Sequence, residues 1–353
     1  MRAAVIEEHG EPLAIEDVDA PEPEPHGVVV ETEACGICRS DWHVWQGDWD
    51  WLGIDAGAGQ ILGHEPAGTV VAVGEEVEQV REGDHIAIPF SLGDGTCPEC
   101  RTGHSNTCDN GIPLGFVEGA QGAFAEQVHV PFADFNAVQL PDGVSSVDMA
   151  GLGCRFMTSF HGLAHRADVG AGDWVAVHGC GGVGLSAVHI ADALGANVVA
   201  VDLKDDKLAQ AEDLGAVETV NAAETDRVPK EIKGITDGGA AVSVDALGVA
   251  ETSRNSVLSL GNRGQHLQIG LTTEEERGSV SLPTDAMVMG EVEFLGSYGM
   301  PVSRYDEIFR MVATDKIDPS AVVSETVGLE DVSDKLAAMT DFETDGIPVV
   351  DSF

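Results

Sequence analysis

His178–Ser186 reads HGCGGVGLS, and it stands between the apolar run DWVAVHG and the segment VGLSAVHIADALGA. Gly179, Gly181 and Gly184 occupy the three glycine positions of a G-x-G-x-x-G pattern, with Gly182 and Val183 inside it. Glycines at such points let the backbone turn tightly and approach a pyrophosphate, whose charge rests on the outward-facing amides of a helix N-terminus. In a chain with 43 glycines the triplet alone says little. Its setting gives it weight: a buried strand before it, a helix after it with glycine past the end, and then a second strand, NVVAVD. That βαβ unit starts an open parallel sheet, and AVSVDALG, GQHLQIG and VEFLGSYG continue the strand signals. The second half of the chain is therefore read as a Rossmann-type doubly wound α/β domain that binds a dinucleotide.

The second strand ends in Asp202, 23 residues after Gly179. A carboxylate there accepts hydrogen bonds from a ribose 2′-OH and repels a 2′-phosphate, which favours NAD. Lys204 and Lys207 follow closely and leave NADP possible.

Before about residue 155 the pattern is different. GVVVET, AGTVVAVG and DHIAIPF are short apolar runs separated by Gly and Pro turn signals, as in a compact β-rich domain. The length of 353 residues suits two domains. Hydrophobic content of 43% is that of a globular protein, and no apolar run is long enough to span a bilayer. The N-terminus lacks the features of a secretory leader, so a cytoplasmic setting is expected.

Charge is the unusual quantity. The chain has 61 acidic and 18 basic residues, a formal net charge of −43. The sign excludes direct binding of nucleic-acid phosphates, and the apolar content with its periodic segments argues against disorder. Adaptation to molar salt, where the Debye length falls to about 3 Å, accounts for it best. The expected setting is a high-salt cytoplasm.

Seven cysteines, an odd number, are few for a disulfide scaffold of this length and point to metal or catalytic use. Cys35 and Cys38 stand in CGICRSDWH, in the β-rich half rather than at the helix start expected of a redox pair. GHEPAGTV places His64 beside Glu65, and GLGCRFMTSFHGL carries Cys154. Thiolate, imidazole and thiolate from three separated segments make the ligand set of a catalytic zinc with one position open.

Taken together, these residues resemble the zinc-dependent medium-chain alcohol dehydrogenases, and the resemblance covers essentially the whole chain. The family's Cys-x-Ser-Asp-x-His motif appears as Cys38, Ser40, Asp41 and His43, and its Gly-His-Glu motif as Gly63, His64 and Glu65. The resemblance implies a GroES-like catalytic domain over 1–155, a Rossmann domain over 156–299, and a return to the catalytic domain over 300–353. It implies that Cys38, His64 and Cys154 hold a catalytic zinc, with Glu65 as a nearby carboxylate able to join the ligand set. Asp41 would orient His64, and Cys35 would be a packed free thiol.

The family also carries a structural zinc lobe, here about residues 91–111. DGTCPECRTGHSNTC supplies Cys97, Cys100 and Cys108, while the first ligand position falls on Asp94. A carboxylate can complete a tetrahedral site, so a second zinc is expected. His104 is a possible substitute ligand, and the alternative is a metal-free loop.

By the same carry-over, Ser40 and His43 form a proton relay, with His43 as the base at the surface. Arg39 would meet the cofactor pyrophosphate. Thr158 would pack beneath the nicotinamide, and Phe90 would line the substrate pocket. A second family arginine near the C-terminus has no counterpart, since DFETDGIPVVDSF holds no basic residue. DWHVWQGDWDWLG gathers four of the five tryptophans, either to narrow a pocket or to pack.

The implied reaction is reversible hydride transfer between an alcohol and NAD, and cysteine at position 154 leans toward simple alcohols and aldehydes. A polyol or sugar dehydrogenase of the same superfamily is the alternative enzyme. A non-catalytic dinucleotide- or metal-binding protein is the alternative from another class. The expected partners are a small alcohol or aldehyde and further copies of the chain in a dimer or tetramer, with no nucleic acid and no membrane.

Overall fold

A computed structural model describes residues 1–340 and 346–353. The chain divides into two compact units, Met1–Cys154 with Gly299–Phe353, and Arg155–Tyr298. Each boundary falls one residue before the joint expected from the sequence.

The second unit is built on six strands: Trp174–His178, Asn197–Asp202, Ala216–Asn221, Ala240–Asp245, Leu260–Gln268 and Glu293–Gly296. All pairings are parallel, and the strands lie in the order third, second, first, fourth, fifth, sixth. Apolar runs such as Val175–Val177 and Val198–Ala200 are buried throughout, because helices cover both faces of a parallel sheet. The helix Gly182–Ala193 returns the chain from the first strand to the second. The strand order reverses at the first strand, so the glycine-rich loop leaves the sheet at the point where ligands bind in such folds. The doubly wound α/β reading of this half therefore holds.

The first unit contains a seven-stranded sheet, whose main path runs Val323–Gly328, Ile347–Ser352, Val28–Gly36, Glu65–Val73, His85–Ala87, Val138–Gln139. Gln127–Val130 pairs with Val28–Gly36 off that path. Val349 and Val350 pair antiparallel with Gly36 and Cys35, which returns the C-terminal segment to the unit formed by the N-terminal one. Ile37, Leu62, Ile86, Leu114 and Phe124 are fully buried in this unit's core. The tryptophan-rich stretch mostly serves that core. Trp45 and Trp49 are buried in it, and Trp45 Nε1 donates to the Glu11 carbonyl at 2.7 Å.

Among the described residues, Asp41, Glu65 and Asp245 are the buried carboxylates, so the excess acid lies toward solvent. No helix among them is long and apolar enough to cross a membrane.

Candidate active site

Cys38 has extended backbone and caps the helix Arg39–Gln46, whose third residue is Asp41. The Asp41 side chain ties two segments together. Its Oδ2 accepts from the Cys38 amide at 2.9 Å, while Oδ1 accepts from the Gly63 amide at 3.1 Å and lies 2.9 Å from His64 Nδ1. Gly63 has φ +95°, and a Cβ there would come within 2.7 Å of the Phe124 amide nitrogen, so the sharp entry to His64 requires glycine. Glu65 opens the next strand in a slot cleared by two glycines. A Cβ on Gly36 would fall 2.2 Å from its Oε2, and one on Gly153 would fall 2.7 Å from its Cγ. Cys154 then begins the helix Cys154–His161.

The potential ligand atoms of Cys38, His64, Glu65 and Cys154 all lie within 4.8 Å of one another. Cys38, His64 and Glu65 are 3%, 1% and 3% exposed. His64 Nε2 is buried and makes no hydrogen bond, a state that ordinarily costs free energy and calls for a partner. Burial by itself would lower the His64 imidazole, yet the Asp41 carboxylate, with the Cys38 sulfur beside it, holds it well above its ordinary range. An imidazole so placed favours a cation on Nε2, whether a proton or a metal ion. Two sulfurs, one imidazole and an adjacent carboxylate fit zinc.

Aromatic rings pack against the imidazole. Phe116 lies 4.6 Å from His64 between centroids, Phe90 stands edge-on at 5.9 Å, and Trp49 meets Phe116 at 6.4 Å. Phe90 also borders Gly299, where a Cβ would come within 3.1 Å of its Cζ. Tyr305 is buried, and its hydroxyl is pushed up by that burial and by the charge of Cys154. Phe116 and Tyr305 escaped the sequence reading, since neither belongs to a chemical motif.

Ser40 is half-buried on the first turn of the helix Arg39–Gln46. His43 departs from its expected place at the surface: it is 8% exposed. Its ring stacks on Trp49 at 4.5 Å with an interplanar angle of 12°, and Trp42 meets it edge-on at 4.9 Å. The turn at Gly47 brings the Asp48 amide to the His43 carbonyl at 2.8 Å and the Asp48 carboxylate to His43 Nδ1 at 2.5 Å. Burial lowers the His43 imidazole below its ordinary value, and Asp48 only partly offsets it. Asp48 was also missed, because in so acidic a chain one more aspartate carries no signal. Arg39 donates to the Met339 carbonyl and covers the Trp42 ring at 4.1 Å. Of the tail read as lacking a second arginine, residues 341–345 lie outside the described residues.

Asp94, Cys97, Cys100 and Cys108 form a second cluster of potential ligands within 4.8 Å of one another. Backbone amides point at the sulfurs: Cys100 N to Cys97 Sγ, and both Asp94 N and Asn110 N to Cys108 Sγ, each at 3.4 Å. The Asn110 side chain, with the Cys97 and Thr96 amides, holds the Asp94 carboxyl well below the usual carboxylate range. Burial, with Cys108 and Cys97 beside it, pushes the Cys100 thiol up to about 12. His104 is exposed, and its Nδ1 meets Thr102 Oγ1 at 3.2 Å; it is not in the four-residue group.

In the other unit, Gly179 has φ +91°, and a Cβ on Gly184 would strike the Gly179 carbonyl at 1.7 Å. A Cβ on Gly181 would meet nothing within 4 Å, so the loop leaves open space there beside the helix N-terminus. That opening fits a pyrophosphate. The Val183 carbonyl accepts from Ser159 Oγ at 3.0 Å. Asp202 does more than the sequence suggested: Oδ2 accepts from the Cys180 amide at 2.7 Å and Oδ1 from the Leu203 and Lys204 amides at 2.8 and 3.1 Å. Lys207 is buried on the following helix, Asp205–Asp213. Thr158 is buried, and its carbonyl accepts from Ser297 Oγ at 3.3 Å.

Two family models match the chain, the alcohol dehydrogenase GroES-like domain over residues 24–142 and the zinc-binding dehydrogenase domain over residues 182–314. An alcohol dehydrogenase of Moraxella sp. is 41% identical over 239 residues, 66% of this chain and 68% of its own. An NAD-dependent alcohol dehydrogenase of Sulfurisphaera tokodaii is 31% identical over 356 residues, 99% of each chain. The solved structure of an alcohol dehydrogenase from Thermus sp. ATN1 superposes with a TM-score of 0.90 at 29% identity, covering 100% of both chains.

Proposed function

The chain belongs to the zinc-type medium-chain alcohol dehydrogenases, and from that premise we propose that it interconverts a small primary or secondary alcohol and its aldehyde or ketone, with NAD as hydride carrier. One observation carries the reading: four potential ligands, two sulfurs among them, converge within 4.8 Å around a buried imidazole nitrogen that makes no hydrogen bond. Cys38, His64 and Cys154, with Glu65 at hand, would hold the zinc, which when bound would supply a Lewis acid that lowers the pKa of an alcohol, while bound NAD would supply the hydride acceptor.

The remaining work falls to this chain's own groups. Asp41 fixes the tautomer of His64 by accepting from Nδ1, which leaves Nε2 for the metal. Phe90 and Phe116, packed on that imidazole, keep water from its face. Ser40 Oγ takes the proton that the alcohol releases and passes it to His43. With Nδ1 engaged by Asp48, the proton arrives at Nε2 of His43. Asp202, at the end of the second strand, favours a 2′-hydroxyl over a 2′-phosphate, and Thr158 packs under the nicotinamide.

Asp94, Cys97, Cys100 and Cys108 hold a second zinc in this reading, on the support of their convergence and of three amides aimed at sulfur. The sixth strand, Glu293–Gly296, ends the sheet with Phe294 exposed, and nearby Val288 and Met289 are 77% and 80% exposed. Such an edge suits pairing with a second copy of the chain. The charge of −43 suits a salt-rich cell interior.

Following NADH oxidation in multimolar KCl against short and aromatic aldehydes, ketones, sugar lactones and quinones tests the reading. Turnover of aldehydes or ketones that a chelator abolishes and zinc restores is the expected result. Turnover that survives complete zinc removal overturns the metal role, and a clear preference for NADPH overturns the choice of NAD. Light scattering across a KCl series tests the rest: a dimer or tetramer that unfolds as salt is withdrawn is expected, and a monomer indifferent to salt would contradict it.

A further inference from the structure

Arg155 and Lys207 are 5% and 7% exposed, the two buried cationic side chains of lysine or arginine among the described residues. They stand out in a chain with only 18 basic residues against 61 acidic ones. Arg155 packs directly on the glycine-rich loop: a Cβ on Gly182 would come within 2.6 Å of Arg155 Cδ and 3.3 Å of its Nη1. Within the same loop, burial and the Asp202 charge raise the Cys180 thiol, and the Lys207 charge opposes them.

Gly182 is not one of the three glycines the loop pattern demands, yet it has a reason of its own. It is the first residue of the 12-residue helix Gly182–Ala193, and its missing side chain is what admits the Arg155 stem. The first amides of a helix have no partner within it and point outward. Leu185 N is already bonded back to the Gly181 carbonyl at 2.8 Å, so the outward amides are those just before it, beside Arg155. Gly181, with nothing within 4 Å of where its Cβ would stand, leaves the approach clear. Arg39, the arginine the sequence suggested for this task, donates to the Met339 carbonyl and lies over Trp42.

We infer that Arg155 is a diphosphate-positioning residue, its guanidinium gripping the same phosphate oxygens that the amides of Gly182 to Gly184 receive. The inference rests on the dinucleotide reading of the loop. A planar fork matches two phosphate oxygens at once, and a buried cation keeps its pull in salt that screens exposed ones. Gly182 and Arg155 thus act as one device, the glycine making room and the arginine supplying charge.

The test is equilibrium binding in multimolar KCl, read by calorimetry on the zinc-loaded wild type and on R155M, R155K and G182A, with NADH, ADP-ribose and adenosine as probes. R155M is expected to weaken NADH and ADP-ribose alike by about ten- to a hundredfold and to leave adenosine unchanged. R155K, which keeps charge and loses the fork, should fall between R155M and wild type. G182A, which displaces the stem, should weaken NADH in the direction of R155M. Unchanged NADH affinity in R155M, or equal weakening of adenosine, overturns the inference while the dehydrogenase reading stands. Should R155M show no cooperative melt, G182A and R155K decide the matter, and wild-type affinity for NADH in both overturns it. Wild-type protein that binds neither NADH nor NADPH would overturn the dinucleotide reading and this inference together.

Discussion

The two ligand clusters of the first unit each bring four potential ligand atoms within 4.8 Å of one another, and they are built in opposite ways. Cys38, His64, Glu65 and Cys154 come from far-separated segments, and a fully buried carboxylate, Asp41, joins the first two by bonds to Cys38, Gly63 and His64. Asp94, Cys97, Cys100 and Cys108 come from one short loop, and backbone amides on sulfur hold them. The first arrangement needs the whole unit folded before it exists. It can therefore hold a ligand nitrogen buried and unsatisfied, as His64 Nε2 is. The second needs only local closure and is exposed in part, which suits stability better than catalysis. In physical terms, a reactive metal belongs where the fold prepays the organisation, and a structural metal where it must supply it.

The sharpest way to break this contrast is to remove one sulfur from each cluster. Cys38→Ser should lower alcohol oxidation about a thousandfold, since a Lewis acid supplies several kcal/mol to the transition state. Metal analysis should show zinc falling from two per chain to one. Cys100→Ser should lose one zinc as well, but its cost should appear in the melting temperature and in the rate of thermal inactivation, with kcat at moderate temperature near wild type. Equal losses of activity in both variants would erase the distinction.

Asp41→Asn comes next in size. It keeps the shape of the residue and removes the charge that faces His64 Nδ1, so zinc affinity or turnover should fall about ten- to a hundredfold. Chelator competition on the purified protein reads the first and steady-state kinetics the second. In the lobe the carboxylate that backbone amides hold is Asp94, itself one of the four potential ligands. Asp94→Cys should accordingly slow zinc release from the lobe without changing kcat, as a fourth thiolate replaces an oxygen. Faster release would show that the amide and Asn110 bonds to Asp94 matter more than its donor atom.

The same contrast explains what could be read in advance. Cys38, His64, Cys154 and the loop glycines carry chemistry in their residue types and spacing, so they stand out in a bare sequence, and so does the alternation of strands and helices around Gly179. The lobe's departure at Asp94 is visible for the same reason. Residues that act by packing have no such signature. Phe116, which packs against the His64 ring, is one apolar residue among many, and Gly182 is legible as part of the loop but not as the space that Arg155 fills. Asp202 was legible as a carboxylate at a strand end, but its three amide bonds depend on how the loop at Cys180 folds back over it. The largest miss, the burial of His43, is of this kind: a motif specified the imidazole, and two tryptophans and a glycine turn decided where it sits.

That burial yields the smallest and most specific expectation. His43 faces Asp48 at Nδ1, with Arg39 and the Cys38 sulfur as the other charges acting on it, and burial dominates to keep its pKa below the ordinary value near 6.5. The neutral ring is then available as proton acceptor throughout the neutral range, and alcohol oxidation should fall only as pH drops through that lowered value. His43→Gln should remove this inflection and reduce the rate most just above it, where hydroxide is too scarce to replace the ring. The linked stability has a definite sign. The unfolded chain takes up a proton near 6.5 and the native ring resists it, so the native state loses stability as pH falls from about 6.5 through the lower native pKa. His43→Gln should flatten that part of the melting-temperature profile. Asp48→Asn, by removing the one group that raises the ring's pKa through both charge and hydrogen bond, should move the kinetic inflection to still lower pH. An inflection that stays in place in both variants would mean that another group carries the proton, and that the stack of Trp42, His43 and Trp49 is packing alone.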